Sequence, residues 1–133
     1  MESDYLSIKQ VDGHITQYKF LKISRFAVDE FADSLLKQNL NTITCILVDT
    51  RIGIQPIRYT MSKLRETFQD GTLMADVDIK IYVAIVLDDS TFSTISMNFI
   101  NSLNLKNIHF RFFGKTDYEV ALMWLNSFES PHS

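Results

Sequence analysis

The sequence predicts an α/β domain built on a mixed five-stranded sheet flanked by helices, in the order β-β-α-β-α-β-α-β-α. Three observations predict it. An Asp12-Gly13 pair separates two alternating segments at the start of the chain. Two largely apolar runs, Ile43 to Val48 and Ile79 to Leu87, the second interrupted by Lys80, have the length and β-branched content of strands buried on both faces. The segments around these runs place their apolar residues at helical spacing, so strands and helices alternate and neighbouring strands are joined by parallel crossovers.

Asp12-Gly13 suits a tight hairpin because aspartate and glycine tolerate the positive φ such turns need. It predicts two antiparallel strands, Tyr5 to Val11 and His14 to Ile23. The period then changes: Val28, Phe31, Ala32, Leu35 and Leu36 form one helical stripe, with Asp29, Glu30, Asp33 and Lys37 on the other face. Ile43 to Val48 reads as a strand that ends in the loop Asp49-Thr50-Arg51, and Pro56 fits the first turn of a second helix bearing Ile57, Met61, Leu64 and Phe68. After the strand Ile79 to Leu87, Asp88-Asp89-Ser90 offers N-caps for a third helix with Phe92, Ile95, Phe99, Ile100 and Leu103. Ile108 to Phe113 is the last strand. Thr116-Asp-Tyr-Glu119 has the form of a capping box opening a final helix that buries Tyr118, Ala121, Leu122 and Leu125.

The whole chain, 1–133, reads as a single domain, and its 46% hydrophobic and 22% charged residues provide for a core without disulfides or a structural metal. That composition excludes intrinsic disorder and fibrous repeats. A net charge of −3 gives no general attraction for nucleic acid. The acidic opening Met1-Glu-Ser-Asp-Tyr5 does not resemble a signal peptide, no apolar run reaches the roughly 20 residues of a membrane-spanning helix, and Cys45 has no second cysteine to pair with. The expected location is the cytoplasm, with no transmembrane segment.

Four stretches resemble a known family: the hairpin leading into Arg25-Phe-Ala-Val-Asp-Glu-Phe31; Ile46-Leu-Val-Asp-Thr-Arg51; Val83-Ala-Ile-Val86; and Phe110-Arg-Phe-Phe-Gly114 with Tyr118-Glu-Val-Ala-Leu-Met-Trp-Leu125. The chain is similar to STAS domains of the SpoIIAA-like group, single-domain bacterial proteins related to anti-sigma factor antagonists and to the CRAL-TRIO lipid-transfer fold. Most of the matched positions are core positions, so the likeness speaks to fold more than to function. Anti-sigma factor antagonists carry an Asp-Ser-Ser/Thr-Gly motif with a phosphorylatable serine at a helix start. Here the corresponding segment is Asp49-Thr-Arg-Ile-Gly-Ile-Gln-Pro56, which lacks that serine.

The candidate chemistry is sparse. His14, His109 and His132 show no ligand spacing, so no metal site is expected, and the glycines at 13, 53, 71 and 114 read as turn punctuation, leaving no phosphate loop. No enzyme signature is present, hence no catalytic or cofactor-binding residue is named and no cofactor is expected. Cys45, among apolar neighbours, reads as a strand core position. Ligands of parallel α/β sheets bind at the C-terminal ends of strands. There the sequence gathers Asp49, Thr50, Arg51, Asp88, Asp89 and Ser90 on one rim for a partner or ligand.

Arg51, Arg58, Lys63 and Arg65 make the second helix region basic, either as a solvated face or as a docking patch for an acidic partner or anionic lipid. Phe110, Phe112 and Phe113 place aromatics on both faces of the last strand, which at a sheet edge allows a homodimer. The resemblance implies a non-enzymatic regulatory or sensing module with a protein partner. The alternative is a small-molecule or lipid-binding protein using apolar space between helices and sheet, near Met61, Phe68, Phe92, Met97 and Phe99.

Overall fold

In the computed structural model, which describes residues 2–38, 43–53, 57–68, 79–88 and 108–128, the chain opens with the expected hairpin. Strand β1 (Leu6–Val11) pairs antiparallel with β2 (Ile15–Phe20), Val11 opposite Ile15. Asp12 and Gly13 hold φ of 54° and 82°, the left-handed conformation the pair was selected for, and His14 completes the turn. Strand β2 is shorter than its alternation predicts. The pairing continues one step past Phe20, where the Leu21 amide donates to the Tyr5 carbonyl at 2.8 Å, and Ile23, just before α1, is exposed.

Helix α1 (Arg25–Lys37) starts where the Ser24 hydroxyl accepts the Phe26 amide at 3.0 Å, satisfying a donor that has no partner within the helix. Its stripe buries Ala27, Val28, Phe31, Ala32 and Leu35; Leu36, grouped with them by spacing, falls at the edge and stays 37% exposed. Strand β3 (Ile43–Thr50), helix α2 (Ile57–Phe68), strand β4 (Lys80–Leu87), strand β5 (Ile108–Phe113) and helix α3 (Tyr118–Asn126) follow. The side chains of Ile57, Met61 and Phe68, and the whole predicted third helix with Phe92, Ile95, Met97, Phe99, Ile100 and Leu103, lie outside the described residues. Three helices are described.

The sheet runs β1-β2-β3-β4-β5 in space, parallel from β2 onward, so it is mixed and β5 is an edge strand as expected. Sequential parallel strands joined by right-handed crossovers place their connecting helices on one face. Accordingly α1 and α2 share a layer. Phe31 and Leu35 of α1 and Leu64 of α2 pack with Tyr18, Ile46, Val48, Val83 and Ile85 of the sheet. The reverse face belongs to α3, whose Ala121 and Leu125 cover Ile15, Cys45, Leu47, Ala84, Val86 and Phe113. β3 and β4 are covered on both sides, which is why their sequences show continuous apolar runs rather than alternation.

The capping box does not form. Asp117, not Thr116, precedes the first helical residue, and no side chain caps the helix. The Asp117 amide closes a turn onto the Gly114 carbonyl at 3.0 Å, so residues 114–117 are used in leaving β5 before α3 can start.

Candidate functional site

Strands β2, β3 and β4 end together, and the predicted rim residues stand there. Strand β3 runs two residues beyond its apolar run, pairing Asp49 with Val86 and Thr50 with Leu87, so both residues are within the sheet rather than in a loop. Period-two alternation then separates them. Thr50 faces α1 and α2, is 1% exposed, and its hydroxyl donates to the Val86 carbonyl at 2.7 Å. Asp49 faces α3 and is 2% exposed.

A buried carboxylate requires compensation, and Arg51 provides it. The Arg51 backbone amide donates to Asp49 Oδ1 at 3.1 Å, its Nε donates to the same oxygen at 3.0 Å, and its Nη2 donates to Oδ2 at 2.7 Å. The far side of the guanidinium lies over the Tyr118 ring, 4.5 Å from its centroid, and the Tyr118 hydroxyl donates to Gln17 Oε1. Hydrogen bonding to Asp49 holds the Arg51 pKa above its ordinary value. Burial raises that of the Tyr118 phenol, the Asp49 charge adding to the rise and the Arg51 charge opposing it.

Asp88 follows β4 on the same rim and is half-buried, while Asp89 and Ser90 lie outside the described residues. Asp49 and Arg51 are therefore brought into direct contact, and Thr50 is turned to the opposite face. Gln17 and Tyr118, which complete the network, were not singled out from the sequence. Gln17 alternates with Thr16 and Tyr18 in a hairpin strand, and only the return of α3, 101 residues later, buries it.

On the α1 side of this end three apolar side chains remain exposed: Ile23 at 48%, Phe26 at 57% and Ile52 at 46%. Gly53 brings their loops together. Its φ of 119° is a conformation L side chains rarely adopt, and a Cβ there would sit 3.2 Å from Ile23 Cδ1.

No protein-family model, curated protein or solved structure matches this chain.

The other candidates have structural settings. Cys45 donates its thiol to the Leu125 carbonyl at 3.6 Å, and burial pushes its pKa up to about 11, which makes it a poor nucleophile near neutral pH. His109 stacks on Tyr82 with centroids 5.1 Å apart, an exposed strand-face residue as its alternation predicts. Among the described residues no three His, Cys, Asp or Glu side chains gather as a metal would require, and no helix is long and apolar enough to cross a membrane. Arg58 and Arg65 of α2 are exposed and Lys63 is half-buried.

Two adjoining cavities of about 370 and 420 Å³ open at the opposite end of the sheet, sharing Gln10, Thr16 and Gln38. Thr16 Oγ1 accepts from Gln10 Nε2 at 3.0 Å and from Gln38 Nε2 at 3.3 Å, and the Tyr18 hydroxyl donates to Gln38 Oε1.

Proposed function

We propose that the chain is a non-enzymatic regulatory or sensing module of STAS type, acting in the bacterial cytoplasm, and that it docks a protein partner through the rim around Arg51. The observation that supports this reading is the setting of Arg51. A side chain that is 38% exposed is fixed on one edge by the buried Asp49 carboxylate and on one face by Tyr118. A free arginine loses rotamer entropy when it binds, whereas this one is already ordered, so its remaining N–H donors meet an acceptor at lower cost. Interfaces concentrate their energy in such ordered Arg and Tyr groups. The five-stranded mixed sheet is compatible with the STAS resemblance. The inaccessible Thr50 hydroxyl favours constitutive docking over a phosphoswitch at that residue.

The test is native mass spectrometry of the full chain purified from its own host. The reading predicts a protein partner whose mass disappears with Arg51→Lys, which keeps the charge for Asp49 and loses the planar fork. A partner retained equally by Arg51→Lys and Tyr118→Ala would overturn it. The same spectra report pairing of two copies along β5.

The second reading, a small-molecule or lipid-binding protein, is favoured by the two cavities beside α1. Their combined lining of Ile8, the Tyr18 ring and the Gln10, Thr16 and Gln38 amide-hydroxyl cluster suits a guest with both apolar and polar parts. Such a guest would co-purify as a small added mass and be lost with Thr16→Val rather than with Arg51→Lys.

A further inference from the structure

Ile23, Phe26 and Ile52 come from two loops and the first turn of α1 at the end of the sheet where β2 and β3 finish, and Ile23 lies against Gly53, the residue after Ile52. Cations border them. Lys22 lies over the Tyr5 ring at 5.5 Å, Tyr5 lies 5.9 Å from the Phe26 ring, and Arg25 lies over Phe26 at 5.8 Å. Asp29 and Glu30 of α1 accept from the Tyr59 and Ser3 hydroxyls and keep their charge, and Asp4 beside Tyr5 is exposed. This end presents half-exposed apolar tips with Lys22 and Arg25 lying directly against its aromatic pair.

We propose that this end seats on an anionic lipid surface. Phe26, Ile23 and Ile52 enter the boundary between headgroups and acyl chains, and Lys22 and Arg25 meet the phosphates. Loop tips suit a fluid bilayer, which deforms around each side chain. An acidic peptide would meet the same cations but needs a groove for its apolar residues, and among the described residues the two cavities lie at the other end of the sheet. The inference does not depend on Arg51 docking a partner.

Co-sedimentation of the full chain with vesicles tests it, using phosphatidylcholine mixed with phosphatidylglycerol against phosphatidylcholine alone. Two cations at the surface predict roughly tenfold to thirtyfold tighter binding to the anionic vesicles, weakened by added salt. Lys22→Gln with Arg25→Gln should abolish the preference for anionic lipid. Phe26→Ser with Ile52→Ser should release the chain from both kinds of vesicle, with thermal unfolding confirming that each variant is folded. A chain left in the supernatant, or bound equally by parent and variants, overturns the proposal. Binding of a synthetic acidic amphipathic peptide without any vesicle binding would overturn it in favour of a peptide site.

Discussion

Arg51 holds Asp49 by two side-chain hydrogen bonds, Nε to Oδ1 at 3.0 Å and Nη2 to Oδ2 at 2.7 Å, although the carboxylate is buried and the guanidinium is not. Removing the partner of a buried charge costs more than the pair contributes, because the remaining ion keeps its desolvation penalty. Arg51→Ala should therefore destabilise the protein by about 2 to 3 kcal/mol, somewhat below the range for fully buried pairs because water reaches this one from the arginine side. Asp49→Asn, which keeps an acceptor for the Arg51 amide, should cost less. Urea unfolding of the two variants gives the comparison, and an Arg51→Ala loss smaller than that of Asp49→Asn would contradict it.

Tyr118→Phe isolates the next link of the network. Gln17 is 2% exposed, and removing the hydroxyl that donates to it leaves its carbonyl oxygen short of that partner. The expected loss is about 1 to 2 kcal/mol, the cost of a buried polar group left unmatched. Gln17→Leu in the Tyr118→Phe background should recover part of it, because replacing both polar groups removes the unmatched acceptor.

Much of this architecture is legible in the sequence. Ile43 to Val48, apart from Thr44, and Ile81 to Leu87 are apolar because α1 and α2 cover one face and α3 covers the other, so composition alone reveals those strands. Asp49 and Arg51 are visible as candidates because they stand where a parallel strand ends. Their pairing is not visible, since it depends on β3 continuing two residues further and turning Asp49 toward α3. Ile23 reads as the end of β2 by alternation, whereas β2 ends at Phe20 and the chain enters α1 at its Ser24 cap, which leaves Ile23 exposed between the two. The Thr116 capping pattern fails because the turn onto Gly114 competes for the same residues. Local patterns report periodicity and caps; contacts made across the chain decide which side chains meet.

Stability should fall on the alkaline side. Burial raises the Cys45 thiol from 9.0 to about 11 and the Tyr18 phenol from 10.0 to about 12. Both groups are protonated in the folded and unfolded chain below pH 9, so their contribution is fully present there. As pH rises, the unfolded thiol ionises first and then the unfolded phenol, favouring the unfolded state until the folded groups titrate near 11 and 12. The expected loss is about 1 to 2 kcal/mol for each group over its own window. Urea midpoints between pH 8 and 10.5 should decline, with Cys45→Ala flattening the part that begins near pH 9.

The docking claim meets its most direct test in hydrogen–deuterium exchange on the full chain, free and with its co-purified partner bound. The account predicts that the partner slows exchange at the backbone amides around residues 49–53 and 114–118, where Arg51 and Tyr118 stand, and leaves residues 10–18 unchanged. Slowing confined to residues 10–18 and 34–38, at the cavity end of the sheet, would contradict it.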